Sequence, residues 1–182
     1  MSDGPLWLDA FARDWEAAHE RLSVGRAPVV YYPGARRDGG SDGVWLRISP
    51  AGGESWTGVF ASDNRPGRLN VIASWPQPQT VFVAAGGAPY LVDSADPDHW
   101  SRLDLPTVRR FEPQADLGLC LLLDDDRLSA YDAAGLAWES GSLGPASTWL
   151  GRLDDEVHVR SGGLLHRIAL RHGRTTTEAA SW

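Results

Sequence analysis

The chain has 182 residues, of which 42% are hydrophobic and 23% are charged, and its formal net charge is −7. This composition is typical of a globular protein and favours neither a wholly disordered chain nor a membrane protein, while the length predicts a single domain over residues 1–182. Affinity for nucleic acid comes from clustered Lys and Arg, so an acidic chain without a basic stripe is not expected to bind DNA or RNA.

The residues available for covalent and redox chemistry are few. All 17 basic residues are Arg, and the absence of Lys excludes Schiff-base catalysis and the lysine of phosphate-binding P-loops. Cys120 is the only cysteine, so neither an internal disulfide nor a Cys-x-x-Cys zinc site can form. Acidic residues interrupt the first twenty positions, so we expect no signal peptide and a cytoplasmic location. No cofactor is predicted.

The first predicted element is an amphipathic helix over residues 5–23. Five apolar side chains recur there at spacings of three, four, three and four residues, as on one face of an α-helix: Leu8, Phe11, Trp15, Ala18 and Leu22. Pro5 suits a first helical turn, and Gly25 can adopt the left-handed conformation that ends a helix. We therefore expect one N-terminal helix that covers a sheet.

From residue 28 to residue 178 the pattern is that of short β-strands. Apolar runs begin at Val44, Val81, Leu121 and Val157, which are 37, 40 and 36 residues apart. Each run leads into turn residues and then into a second apolar segment, as in a β-hairpin. The expected fold class is mainly β, with antiparallel hairpins in four quasi-repeats that form a partial propeller, a sandwich or a meander.

Two of the four repeats share a further element, which we call the Tyr–Asp–Trp tail. Its two copies are Tyr90, Asp93 and Trp100, and Tyr131, Asp132 and Trp138. Residues 123–138 (LDDDRLSAYDAAGLAW) resemble the blade repeat of quinoprotein-like β-propellers, in which a hairpin ends in Tyr-Asp and a Gly turn leads to Trp. Residues 81–100 resemble it more loosely. The resemblance implies a propeller-like fold, and the chain as a whole is similar to bacterial β-rich proteins to which no activity is attached.

A metal site is one hypothesis raised by three histidines near the carboxyl terminus: His158, His166 and His172. A two-residue turn at residues 162–163 would place His158 opposite Arg167. It would place His166 opposite Val159, so that the two rings point to different faces of the sheet. Because zinc requires ligands about 2 Å from one point, we predict no metal site and a partly buried, structural His166.

Candidate catalytic groups have structural interpretations. The acidic runs at residues 124–126 and 154–156 fall at predicted turns, where Asp is common because its side chain bonds nearby backbone N–H groups. Ser55 lacks the second Gly of a Gly-x-Ser-x-Gly elbow. Cys120 lies in an apolar run, where a thiol is usually inert. No catalytic residue is therefore predicted.

The nine Trp residues are the feature that favours binding, because aromatic side chains anchor interfaces as well as cores. Trp75, Trp100 and Trp149 lie beside turn residues, so we expect them to be partly exposed. Asp93 and Asp96 precede Trp100 closely in the sequence. These five residues form the predicted binding site.

The expected function is that of a non-enzymatic binding or adaptor module, in which a rigid β scaffold presents turn loops and aromatic residues to a protein partner. The alternative is a small hydrolase or carbohydrate-binding protein that uses turn carboxylates beside a Trp ring. Its carboxylates would be Asp93, Asp96 or Asp132, and its rings Trp100 or Trp138. A third hypothesis is assembly into a homo-oligomer through the four repeats.

Overall fold

The computed structural model describes residues 6–8, 11–20, 28–33, 35, 43–62 and 69–180. Backbone contacts divide the chain into two compact units, Met1–Thr107 and Val108–Trp182, which we call the N-unit and the C-unit. The expectation of a single domain stays a prediction. In the described ranges, no helix is long and apolar enough to cross a membrane.

The described part of the N-unit consists of strands and their connections. The strands are β1 (Leu6–Leu8), β2 (Trp15–His19), β3 (Val29–Tyr31), β4 (Gly43–Pro50), β5 (Trp56–Ala61), β6 (Val71–Ser74), β7 (Thr80–Ala85), β8 (Ala88–Asp93) and β9 (Trp100–Arg102). They form two sheets with the strand orders β2-β4-β5-β3 and β1-β6-β7-β8-β9. Neighbouring strands are antiparallel, apart from the parallel pairs β3–β5 and β1–β6.

The C-unit contains two antiparallel sheets of four strands each. The strands are β10 (Arg110–Gln114), β11 (Leu119–Leu123), β12 (Leu128–Asp132), β13 (Gly135–Glu139), β14 (Thr148–Leu153), β15 (Glu156–Ser161), β16 (Leu164–Ala169) and β17 (Thr175–Ala179), with a short 3-10 helix at Ala115–Leu117. The sheets have the sequential orders β10-β11-β12-β13 and β14-β15-β16-β17. The mainly β fold class is therefore confirmed.

The four predicted hairpins are present, one in each sheet: β4–β5, β7–β8, β11–β12 and β15–β16. The β7–β8 turn is Gly86-Gly87, with φ of 54° and 86°, and the β15–β16 turn is Gly162-Gly163, with φ of 56° and 80°. Two consecutive residues with positive φ make a type I′ turn, whose twist matches that of the two strands. Glycine is the residue that adopts this conformation at the lowest cost.

Each unit has its own apolar core. In the N-unit the buried side chains include Trp15, Leu46, Phe60, Val81 and Tyr90. In the C-unit they include Leu121, Leu128, Val157, Ile168 and Leu170. Consecutive residues of β7 and of β11 are buried, so both faces of these strands are covered, as their continuous apolar runs predict.

The prediction of an N-terminal helix is wrong. Leu6–Leu8 form β1 and Trp15–His19 form β2, while Pro5 and Gly25, the expected helix ends, lie outside the described residues. Trp15 is buried and Ala17 packs against the same core, whereas Ala18 is exposed. The side chains of β2 thus alternate with a period of two, because β2 pairs with β4 over its whole length and the sheet decides which side chains are buried.

Candidate binding site

The Tyr–Asp–Trp tail has the same backbone role in both of its copies. Asp93 ends β8, and its Oδ1 accepts hydrogen bonds from the backbone N–H groups two and three residues further on, at 2.8 and 3.3 Å. Asp132 ends β12, and its Oδ1 accepts the equivalent bonds at 2.7 and 3.1 Å. These are Asx turns, which explain why Asp is the residue at this point of the repeat.

The two copies differ in the connection that follows the Asp. In the C-unit only residues 133–134 separate β12 from β13, whereas in the N-unit residues 94–99 separate β8 from β9. Trp138, in β13, donates a hydrogen bond of 2.7 Å from Nε1 to the carbonyl oxygen of Leu170 and packs against the C-unit core. Trp100, the first residue of β9, is 37% exposed.

The connection at residues 94–99, which we call the 94–99 loop, is held by side chains that are distant in the sequence. Trp56 donates from Nε1 to the carbonyl oxygen of Ser94 at 2.7 Å, and the Tyr32 hydroxyl donates to the carbonyl oxygen of Pro97 at 3.1 Å. Within the loop, the N–H of His99 donates to the carbonyl oxygen of Asp96 at 3.0 Å. The 94–99 loop is therefore fixed both by its own hydrogen bonds and by the side chains of Trp56 and Tyr32.

A cluster of aromatic rings lies beneath this loop. Tyr32 stacks on Phe60 with ring centroids 4.5 Å apart, and it meets Trp100 in a T-shaped contact at 5.6 Å. Burial, together with the negative charges of Asp98 and Asp96, raises the pKa of Tyr32 well above its usual range. The phenol therefore stays protonated and keeps its hydrogen bond to the loop.

A cleft of about 270 Å³ opens beside Trp100, and all of its walls belong to the N-unit. The side chains that line it include Gln77, Gln79, Thr80, Asp93, His99 and Trp100. The lining thus combines the exposed Trp100 ring and apolar side chains with one carboxylate, one imidazole, two amides and two hydroxyls. Such a mixture is typical of a recognition site in which a few polar groups orient a ligand against an apolar wall.

The cleft is bordered by acidic side chains. Asp93 lies in its wall, and Asp96 and Asp98 are exposed in the 94–99 loop. Among the residues that the structure describes, none of these three carboxylates forms an ion pair. Arg102, two residues beyond Trp100, lies over the Tyr90 ring at 5.9 Å. Asp93 in the wall and the two carboxylates of the adjoining 94–99 loop are therefore without a paired cation among the described residues.

The other predicted site residues are placed apart from this cleft. Trp75 is only 3% exposed and packs in a T-shaped contact against Phe82, although the next residue, Pro76, lines the cleft. Trp149 belongs to the C-unit, where it packs against the core and has Arg110 over its ring at 5.9 Å. The cleft thus brings together Asp93 and Trp100, with Asp96 in the adjoining loop.

The histidines follow the predicted register. His158 pairs with Arg167, and His166 pairs with Val159. His166 is buried, and its Nδ1 lies 3.0 Å from the hydroxyl of Thr177. Within the described ranges, no group of three or more His, Cys, Asp or Glu side chains is placed to hold a metal ion.

Cys120 and the first acidic run have the surroundings expected of structural residues. Cys120 is fully buried in β11, and burial raises the pKa of its thiol well above the usual range, so the reactive thiolate is disfavoured. Asp124 accepts hydrogen bonds at Oδ1 from the N–H groups of Asp126 and Arg127, at 2.7 and 2.6 Å. This carboxylate closes the turn between β11 and β12.

Several residues of the site were missed by the sequence analysis. Tyr32 and Trp56 hold the 94–99 loop through hydrogen bonds to residues that lie 65 and 38 positions further along the chain, respectively. No local sequence pattern indicates such contacts. Gln77 and Gln79 line the cleft because they lie in the turn between β6 and β7. The run of Pro and Gln at residues 76–79 was the available signal for an exposed turn near Trp75.

Comparison with known proteins gives few matches. No family model matches the chain, and no curated protein matches it. Among solved structures, the chain is similar to the crystal structure of BBS1N in complex with ARL6DN, with a TM-score of 0.43 and 16% sequence identity. The match covers 75% of this chain and 46% of that chain, so the chain spans less than half the length of that structure.

Proposed function

We propose that the protein is a non-enzymatic binding module whose N-unit presents the cleft beside Trp100 to a protein partner. The observation that carries this proposal is an exposed Trp ring at a concave site whose loop is already ordered. Aromatic side chains that are rigid before binding lose little conformational entropy at an interface. The anchors from Tyr32 and Trp56 supply that rigidity.

Binding is better supported than hydrolysis because the nearby carboxylates accept hydrogen bonds from the backbone of the 94–99 loop. Asp93 and Asp96 each use Oδ1 to accept backbone N–H groups of the same connection. A glycosidase needs two carboxyl groups that flank the scissile bond and exchange protons with it. Asp132 and Trp138, the other pair considered for that chemistry, belong to the C-unit and form a tight turn and a core contact.

Three further expectations accompany this proposal, and they concern the repeats, the location and self-association. The resemblance of residues 123–138 to propeller repeats supports the interpretation of each sheet as a blade-type unit. The proposed cytoplasmic location is supported by the single cysteine, Cys120, because disulfides are rare there. Self-association into a homo-oligomer is the competing use of an exposed aromatic surface, and light scattering of the protein at high concentration tests it.

Photo-cross-linking tests the proposed surface directly. A benzoylphenylalanine introduced at Ser101, an exposed residue lining the cleft, should cross-link one defined protein in an extract of the source cells. The same group at Leu136, which is 55% exposed in the C-unit, should not. The cross-link should disappear when Trp100→Ala is added to the Ser101 variant. Equal cross-linking from both positions, or persistence without Trp100, would contradict the proposal.

A further inference from the structure

We propose that the cleft beside Trp100 receives an arginine side chain of the protein partner. This inference rests on the proposed function and names the chemistry recognised at the same site. It follows from the size of the cleft, the acceptors that line it, the charge around it, and the way this chain pairs Arg with aromatic rings elsewhere.

The size of the cleft favours a single side chain. Its volume is about 270 Å³, below the range of roughly 300–1,000 Å³ that holds drug-sized ligands. An extended ligand therefore cannot be enclosed, whereas one long side chain can enter from a partner that stays outside. The partner's own backbone and neighbouring residues would then contact the rim.

The polar groups of the cleft favour a ligand group that donates hydrogen bonds and has no acceptor atoms of its own. Asp93 uses Oδ1 for its own loop, and among the described residues its Oδ2 has no hydrogen-bond donor. Gln79 donates from its side-chain nitrogen to Oε1 of Gln77, and its own side-chain oxygen accepts no hydrogen bond from a described residue. A guanidinium has five N–H donors and no acceptor, and it therefore matches a wall that offers oxygen atoms.

The charge around the cleft is complementary to a cation. Asp93, Asp96 and Asp98 lie in or beside it, and within the described ranges no Arg pairs with any of them. The chain carries a net charge of −7, which steers a basic partner toward the protein. A cationic side chain would supply the missing counter-charge.

The aromatic rings of this chain show how such a cation is held. Arg guanidinium groups lie over Trp15, Tyr90 and Trp149 at 5.7, 5.9 and 5.9 Å. In the part of the chain that the structure describes, Trp100 has no cation over it, although its ring is exposed and lines the same cleft as Asp93. An incoming Arg would complete at Trp100 the cation–π contact that these three rings already have.

An NMR titration of the full chain with two blocked tripeptides tests the inference. The first is acetyl-Gly-Arg-Gly-amide, and the second carries citrulline, which has the same shape as Arg without the charge. The Arg peptide should shift the Trp100 indole signal and the backbone signals of His99 and Ser101. Because charge-assisted bonds are lost, the citrulline peptide should bind about tenfold more weakly or worse.

Two matched variants isolate the carboxylate. Asp93→Asn keeps an oxygen for the N–H groups of the loop and removes the charge, so it should weaken the Arg peptide about three- to tenfold while the fold is kept. Asp132→Asn makes the same change at the equivalent turn of the C-unit and should leave binding unchanged. Equal effects of the two variants would overturn the inference.

The remaining outcomes separate this inference from the proposed function. Equal binding of both peptides, or no shift at up to about 20 mM Arg peptide, would overturn the arginine inference, and the Ser101 cross-link would still support a binding module. Shifts of the same signals by methyl glycosides, with none from the Arg peptide, would overturn both. Arg-peptide binding without any cross-linked protein would support the pocket chemistry and overturn the protein partner.

Discussion

In the C-unit, two residues connect β12 to β13 in the Tyr–Asp–Trp tail, and the partly buried Trp138 packs against the core and donates to the carbonyl oxygen of Leu170. In the N-unit, the same tail crosses from β8 to β9 in six residues, and Trp100 ends at the surface beside a cleft. The Asx turn at the start is shared. The two copies therefore differ in the length of the connection that follows the turn and in the place of the Trp, which packs against the core in the C-unit and is exposed beside the cleft in the N-unit.

The longer connection has a conformational cost. Ordering the backbone of one residue costs about 1–2 kcal/mol, or roughly 6–12 kcal/mol for six residues. The anchors from Tyr32 and Trp56, together with the Asp93 carboxylate, offset part of this cost. Joining two neighbouring strands requires only a short turn, so the six-residue connection is longer than the pairing of β8 with β9 requires.

The largest expected effect is the difference between the two Trp residues in stability. Trp138→Ala removes a partly buried ring that packs against the C-unit core, together with its hydrogen bond to Leu170, and should destabilise the C-unit by about 3 kcal/mol. Trp100→Ala should destabilise the N-unit by less, about 1–2 kcal/mol, because its ring is more exposed and donates no hydrogen bond to the core. Hydrogen–deuterium exchange across a urea series gives the two values separately. Equal losses would show that Trp100 is a core residue like its counterpart.

The second prediction concerns the glycine that supports Trp138. A Cβ at Gly173 would lie 2.6 Å from Cε3 of Trp138, and φ there is +66°. Gly173→Ala should therefore destabilise the C-unit by about 2–3 kcal/mol. The matched control is Gly118→Ala, where φ is +65° and an added Cβ would have no atom within 4 Å. This variant should cost only about 1 kcal/mol, for the left-handed backbone conformation of an Ala. Thermal unfolding of both variants tests whether the ring is as closely packed as stated.

The third prediction concerns the loop anchor. Tyr32→Phe keeps the stacked ring and removes the hydroxyl that bonds the carbonyl oxygen of Pro97, so it should cost about 1 kcal/mol. Amide exchange of residues 94–99 should speed up, while exchange at the β12–β13 turn stays unchanged. If the 94–99 loop exchanges as slowly as before, the loop is ordered by other contacts and the proposed pre-organisation through Tyr32 is incorrect.

The smallest expected effect is the acid sensitivity of the C-unit. The Arg152 guanidinium, bonded to both carboxylate oxygens of Asp116 at 2.8 Å, holds the pKa of Asp116 below its usual value of 3.8. Because the folded pKa is the lower one, this contribution to stability is present above pH 3.8 and is lost as the pH falls through the folded pKa.

Unfolding experiments over an acid pH series test this prediction. Asp116→Asn should lower the stability of the C-unit near neutral pH and should reduce its further loss below about pH 4. Glu178→Gln is the control, because it removes the charge of an exposed carboxylate that pairs with Arg167 and not with Arg152. A pH dependence of Asp116→Asn identical to that of the unmodified chain would contradict this account.

The hairpins could be predicted because their information is local. Gly86-Gly87 and Gly162-Gly163 specify the turns, and the apolar runs before them specify buried strands. The separation of His158 from His166 followed from the same register. The helix over residues 5–23 could not be distinguished from a strand, because Trp15 suits both periods and pairing with β4 decided between them.

The candidate site could be predicted only in part. Asp93 and Trp100 were available from the Tyr–Asp–Trp tail, and a Trp beside turn residues correctly indicated exposure at position 100. The burial of Trp75 and the anchors at Tyr32 and Trp56 depend on contacts between segments far apart in the sequence. Such contacts become visible only when the sheets are assembled.

The most direct test of the recognition role of Trp100 is the exchange of indole N–H protons with solvent, measured by NMR in the free protein and in the complex with the cross-linked partner. In the free protein, the Trp138 indole should exchange slowly and the Trp100 indole quickly. Partner binding should slow exchange at Trp100 and leave Trp138 unchanged. Rapid exchange at Trp100 in the complex would contradict its assignment as the recognition residue.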